Sequence, residues 1–216
     1  MPLSNEQIKH LFAFTEKKSV RYYDLQAELV DHLAERIEEE ITAAPQLSFE
    51  NALAKVYAEF GIFGFGKIVQ QKEAEVLKSA RTLWFKELFL LFCWPKIILV
   101  SAIFMVLYQL SIWLPLQPLK IFAGICWFAF SCVTVIREYK FQKKIKKLLI
   151  LNDKWIYFPG FAIYCQYLIN SVHIKDHIWF SILITLSIIF QLAYIQMHKK
   201  IKSKALQLYP EAFITA

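Results

Sequence analysis

Four long runs, almost free of charge, dominate the second half of the chain. Residues 97–114 (IILVSAIFMVLYQLSIWL), 155–172 (WIYFPGFAIYCQYLINSV) and 178–197 (IWFSILITLSIIFQLAYIQM) hold no acid or base, and 119–136 (LKIFAGICWFAFSCVTVI) holds only Lys120. Crossing a bilayer takes about 20 mainly apolar residues. One such run fits a buried core helix. Four in succession leave too little polar surface for a soluble fold, so the pattern predicts four transmembrane helices. Composition agrees: 57% of the chain is hydrophobic, against about 45–50% in globular proteins.

Charge divides the chain in two. Residues 1–93 hold 11 Lys+Arg and 14 Asp+Glu, while residues 94–216 hold 14 Lys+Arg and only 4 Asp+Glu. The overall net charge of +7 therefore comes from the apolar half, where basic residues flank the runs. That placement points to a membrane rather than to nucleic acid. Between the second and third runs lies the segment 137–154, with Arg137, Lys140, Lys143, Lys144, Lys146, Lys147 and Lys154. After the fourth come Lys199, Lys200, Lys202 and Lys204. The short connections at 115–118 and 173–177 offer only Lys175, with Lys120 just beyond the first. Positive loops stay inside, so both termini and the middle loop are expected in the cytoplasm. The opening residues, with Glu6, Lys9 and His10, lack the apolar core of a signal peptide, and the N-terminal part is expected to stay where it is made. Trp94, Trp113, Trp155 and Trp179 lie near run ends, as interfacial anchors do, and Lys96 and Lys120 can reach for headgroups.

At the run centres the polar residues are Gln109, Gln166, Asn170, Gln191 and scattered Ser and Thr, which interhelical hydrogen bonds would satisfy. The absence of acids and bases at the run centres argues against a proton-coupled transporter. Pro159-Gly160 reads as a packing kink. Cys93, Cys126, Cys132 and Cys165 form no C-x-x-C and are expected as small buried apolar residues, with no disulfide framework.

The first third reads as a small helical domain. Ser4 is placed to cap a first helix, with Gln7 completing a capping box. Ser19 is expected to open a second, with an apolar face of Tyr22, Leu25, Leu29, Leu33, Ile37 and Ile41. Its other face is acidic, carrying Asp24, Glu28, Asp31, Glu35, Glu38, Glu39 and Glu40. Pro45 breaks the chain, Ser48 caps a third helix bearing Phe49, Leu53, Val56 and Phe60, and Gly61 stops it. A fourth starts near Lys67 and runs toward the membrane. The expected fold is thus all-α: a cytosolic helical domain (1–78), an interfacial connector helix (79–93), and a four-helix transmembrane bundle (94–216) with a basic inner loop at 137–154 and a basic tail.

The pattern Glu28-Leu29-Val30-Asp31-His32-Leu33, with Arg36, Glu38-Glu39, Ala52 and Phe60-Gly61, resembles the helical prefix domain found before some bacterial permeases. It is similar, too, to the HAAS-type helical signalling domain that accompanies PadR-like regulators. The likeness covers roughly residues 5–75. Where the family has a Gly-Asp-Pro type turn, this chain has Gly61-Ile62-Phe63-Gly64-Phe65-Gly66. The resemblance implies a regulatory or interaction module, a protein partner and a bacterial inner membrane.

No residue pattern points to catalysis, a cofactor or a metal. His32 among Glu28, Asp31 and Glu35 lacks the repeated Glu-x-x-His of a di-iron bundle and reads as a solvated face. His173 and His177 have zinc-like spacing without a third ligand, and the Gly61–Gly66 turn does not match a dinucleotide fingerprint. Glu87, Glu138 and Asp153 near the inner interface look scattered. The expected interaction residues are Asp24, Glu28, Asp31, His32, Glu35 and Arg36 on the head, and Lys143, Lys144, Lys146 and Lys147 on the inner loop. The loop's charge is expected to serve topology and attract anionic headgroups; the alternative is that the two sets, which have complementary charge, dock. The expected function is a non-enzymatic signalling or accessory subunit of a membrane complex, compatible with a homo-oligomer. The alternative is a small oligomeric channel or solute transporter.

Overall fold

The computed structural model describes residues 2–152 and 176–213, and among these all regular structure is helical. The expected third span at 155–172, with Trp155, Pro159, Gly160, Cys165, Gln166 and Asn170, lies outside the described residues, as do Asp153, Lys154, His173 and Lys175. Seven α-helices are described: α1 (Asn5–Lys17), α2 (Tyr23–Ala43), α3 (Phe49–Ala58), α4 (Gly66–Leu91), α5 (Lys96–Trp113), α6 (Leu116–Gln142) and α7 (His177–Leu208). The chain forms two compact units. One is Met1–Lys78 with Ile145–Asn152 and Leu208–Ala216; the other is Ser79–Lys144 with Asp153–Gln207.

In the first unit, the start of α1 is fixed by a reciprocal cap. The Gln7 N–H donates to Ser4 Oγ at 3.3 Å, and the Ser4 N–H donates to Gln7 Oε1 at 2.8 Å. Ser48 caps α3 in the same way, accepting from the Asn51 N–H at 3.4 Å. Each cap satisfies an amide that the first turn of a helix leaves without a partner. Ser19 does not open α2. It takes a left-handed φ of 68° just past the end of α1, Val20 then buries completely, and α2 begins at Tyr23 with no side-chain cap. Serine serves both as a cap and in tight reversals, and here the reversal prevails.

The core of this unit joins Leu11 of α1, Leu25, Leu29, Leu33 and Ile37 of α2, and Leu53 and Val56 of α3. Between α3 and α4 the glycine-rich turn sends Phe65 inward, where it meets the edges of Phe60 and Tyr57 at centroid distances of 4.9 and 5.1 Å. Gly64 has a φ of 49°, and a Cβ there would fall 2.4 Å from the Tyr57 hydroxyl, so only glycine lets the turn close. Two segments distant in sequence complete the unit. Leu148, Leu149 and Leu151 bury around a 3₁₀ turn, and Leu149 belongs to the same core. Pro210–Ala212 forms a second 3₁₀ turn with Ala212 buried. These residues had been expected in the inner loop and the tail.

In the second unit, α5, α6 and α7 are each long and apolar enough to cross a membrane. The outer faces of α5 and α6 carry Leu99, Met105, Ile112, Phe122, Ile125 and Phe128, all exposed. Apolar surface of that extent is consistent with a membrane protein. The connection from α5 to α6 is shorter than expected, because α6 starts at Leu116 directly after Pro115. Trp94, Trp113 and Trp179 are exposed near helix ends, whereas Lys120 is buried rather than extended. α7 buries a stripe that includes Ser181, Thr185, Ala193, Met197, Ile201 and Ala205. Its small residues allow close helix approach. The α4 residues Ala80, Trp84, Glu87 and Leu91 form one buried face, with the Trp84 ring against Phe190 of α7 at 5.4 Å.

Two expectations for this half change. Ser111, Ser131, Thr134, Ser181 and Thr185 donate to carbonyls three or four residues earlier in their own helices, at 2.7–2.9 Å. Such hydroxyls are satisfied within the helix and do not bridge helices. Cys93 and Cys126 are exposed and Cys132 is half-buried; a small apolar thiol suits an apolar outer face as well as a core.

Candidate functional site

Two clusters hold buried charge, one in each unit. The first surrounds the N-terminus of α2. Asp24 is 7% exposed. Its carboxylate accepts from the Leu149 N–H at 2.8 Å, the Ile150 N–H at 3.0 Å and the Leu25 N–H at 3.1 Å. Burial pushes its pKa up, against the opposing pull of these N–H donors. Its neighbours reach the same two segments. Asn152 Nδ2 donates to the Tyr22 hydroxyl at 2.8 Å, and the Tyr23 N–H donates to the Lys147 carbonyl at 2.8 Å. The Tyr23 hydroxyl donates to Glu211 Oε2 at 2.7 Å, and Lys146 Nζ stands 4.0 Å over the Tyr23 ring. Burial, then Glu211, raises the Tyr23 pKa. The Lys146 N–H closes the ring of contacts on the Ala212 carbonyl at 3.0 Å. Tyr209 also titrates high, through burial and then the nearby charges of Asp24 and Glu28.

The residues expected to interact are thus divided. Asp24, Lys146 and Lys147 come together, but through backbone amides, a carbonyl and an aromatic ring rather than through lysine–carboxylate pairs. Glu28 is held by Lys72 at 2.6 Å, a hydrogen bond that raises the Lys72 pKa. Asp31, His32 and Glu35 are exposed along α2. Arg36 pairs with Glu39 at 2.8 Å and Glu59 at 3.1 Å within the head. Lys143 stands over its own helix's Tyr139 ring at 4.8 Å, and Lys144 is exposed. The sequence does not single out Tyr23, Leu149 or Glu211, and it places Tyr22 only on the apolar face of the second helix. The readable signal was Leu148-Leu149-Ile150-Leu151, a run too apolar for a solvated basic loop.

The second cluster lies between α6 and α7. Tyr194, His198 and Lys202 recur every four residues, hence on one face of α7, and meet Glu138 of α6. Lys202 Nζ donates to Glu138 Oε1 at 2.8 Å, and His198 Nε2 stands 2.9 Å from Glu138 Oε2. The Tyr194 and His198 rings stack at 5.8 Å, and Lys202 Nζ lies 3.9 Å over the Phe141 ring. Glu138, Tyr194, His198 and Lys202 border a cavity of about 110 Å³ that Arg137, Thr134 and Lys199 also line. Beside it, Lys200 Nζ donates to Glu87 Oε1, whose residue is 1% exposed. Glu87 and Glu138, which look scattered in the sequence, each face a cation of α7; His198 had not been singled out.

Among the described residues no group of three or more His, Cys, Asp and Glu could hold a metal ion. The α6–α7 cluster instead offers a half-buried acid already paired with Lys202, with the further positive charge of Arg137 and Lys199 beside it. No family model, curated protein or solved structure matches the chain.

Proposed function

We propose that this is a multi-pass protein of the bacterial inner membrane whose cytosolic helical head is an interaction module, serving a signalling or accessory role in a membrane complex. The head's own architecture carries the reading. Asp24, Tyr22 and Tyr23 hold residues 145–152 and 209–213, and along the chain these segments continue directly from the ends of α6 and α7. A partner that alters the start of α2 therefore acts on chain leading straight to two candidate spans, and the reverse also holds. The exposed Asp31, His32 and Glu35 offer an acidic face to such a partner. The basic inner loop and tail favour cytoplasmic termini.

Photo-crosslinking residues placed at 32 and 35 of the full chain, in native membranes, test the proposal. A discrete adduct is expected whose yield changes when Asp24→Asn weakens the hold on residues 145–152. Cells giving no adduct from either position would defeat it. A small channel or transporter is the second reading, favoured by the charged α6–α7 cavity. Solute flux into liposomes that persists in the Asp24→Asn variant and stops on Glu138→Gln would establish that reading instead.

A further inference from the structure

The cavity between α6 and α7 carries more positive charge than its own acid neutralises. Glu138 is occupied by Lys202 and flanked by His198. Lys200 is taken by Glu87. Arg137 and Lys199 line the same cavity and are exposed, and among the described residues neither has a carboxylate partner within ion-pair distance. They also sit where the apolar runs give way to charge, since the uncharged stretch of α6 ends at Ile136 and that of α7 at Met197. Val135 and Ile195 supply the cavity's apolar side. Its volume of about 110 Å³ exceeds the roughly 10–15 Å³ of such space that one water requires, leaving room for a small tetrahedral anion.

We infer that this cavity binds the phosphate of an anionic phospholipid headgroup, with Arg137 and Lys199 as its ligands. The guanidinium presents paired N–H donors that match two phosphate oxygens, and Lys199 adds a point charge. Lys202 and Glu138 form a neutral wall behind them. Basic pockets between membrane helices on the cytosolic side suit such headgroups, and the acyl chains would run along the exposed apolar faces. Lys143 and Lys144 of the inner loop do not line the cavity, which separates a defined site from general attraction to a charged surface. The inference rests on reading α6 and α7 as membrane spans.

The test uses the purified full chain in neutral detergent micelles, titrated with short-chain phosphatidylglycerol, phosphatidylcholine or inorganic phosphate. Phosphatidylglycerol is expected to bind in preference to phosphatidylcholine, and millimolar inorganic phosphate is expected not to displace it. At about fivefold per cation, Lys199→Gln weakens binding about fivefold and Arg137→Gln/Lys199→Gln about 25-fold. Lys143→Gln/Lys144→Gln is expected to change it less than about twofold, since those side chains stand outside the cavity. Helix content by circular dichroism shows whether the double variant folds; if it does not, the exposed single variant Lys199→Gln decides. Unchanged binding in the cavity variants, or equal loss in the loop pair, overturns the site. Displacement by inorganic phosphate overturns the lipid as its ligand. A chain that is monodisperse in buffer without detergent removes the membrane reading itself, independently of the titration.

Discussion

Asp24 in the first unit and Glu87 in the second are both acids held away from water, but their partners differ in kind. Asp24 is met by neutral backbone N–H groups from its own helix and from residues 149 and 150. Glu87 is met by an ammonium, Lys200, reaching from α7, and Glu138 by another, Lys202. The difference follows from what each acid joins. In the head, a carboxylate gathers an irregular segment whose amides have no helix to satisfy them, so the contact specifies a backbone path. Glu87 and Glu138 stand within helices, where the backbone is already satisfied, and they are left to pair with side chains. An acid of the first kind secures a segment; one of the second kind sets the pairing of two helices.

The sharpest way to break the comparison is to remove a cation. Lys200→Ala leaves Glu87 buried without its partner, and losing one member of a buried pair costs about 3–5 kcal/mol. The exposed half of Lys200 favours the lower end of that range. A thermal unfolding series of the full chain in detergent should show the loss, largely restored in Glu87→Gln/Lys200→Ala. An unrestored double variant would mean that Lys200 acts through packing alone.

In the head, Asp24→Ala leaves the Leu149 and Ile150 amides without their acceptor, at about 1–3 kcal/mol for the buried Leu149 donor and less for the half-buried Ile150. Amide exchange of residues 145–152 should accelerate by at least an order of magnitude while the centre of α2 stays protected. Equal acceleration throughout the unit would show that Asp24 supports the whole fold rather than the attached segment.

Acidity gives a smaller effect, with a definite sign. The Asp24 pKa is raised above its ordinary 3.8, so the folded head holds a proton more tightly than the unfolded chain. The protonation contribution is therefore fully present below the unfolded value and is lost as pH rises through the raised one. Stability of the wild-type head should fall across that window relative to Asp24→Asn, measured as the difference in chemical-denaturation midpoints between the two proteins. A difference that grows with pH in the opposite direction would mean that the N–H donors outweigh burial.

What could be read in advance was whatever repeats locally. Ser4 with Gln7, Ser48, and the stripe Leu25-Leu29-Leu33-Ile37 follow from rules spanning one or two helical turns, and three of the four apolar runs correspond to helices long enough to cross a bilayer. Ser19 was ambiguous because one side chain suits two local geometries. The hold of Asp24 on Leu149 spans 125 positions in sequence, and no periodicity links them; an acid at the start of a helix already has a local reason to be there in the helix dipole. Glu138 was similarly opaque. Its partners His198 and Lys202 lie on another helix, and each lysine of the α7 end had a sufficient explanation in membrane topology.

The smallest expected effect separates the two segments that the head holds. Tyr23→Phe keeps the backbone N–H that donates to Lys147 and the ring beneath Lys146, and removes only the hydroxyl that donates to Glu211. That hydrogen bond is exposed, so its loss should lower stability by about 0.5 kcal/mol, the low end for a single bond. Exchange should rise at residues 209–213 and stay unchanged at 145–152. If both segments loosen together, the hydrogen bond from the Lys146 N–H to the Ala212 carbonyl couples them, and the tail and the loop are held on the head as one body. If only the tail loosens, the two are held separately, and a partner at the start of α2 can release one while keeping the other.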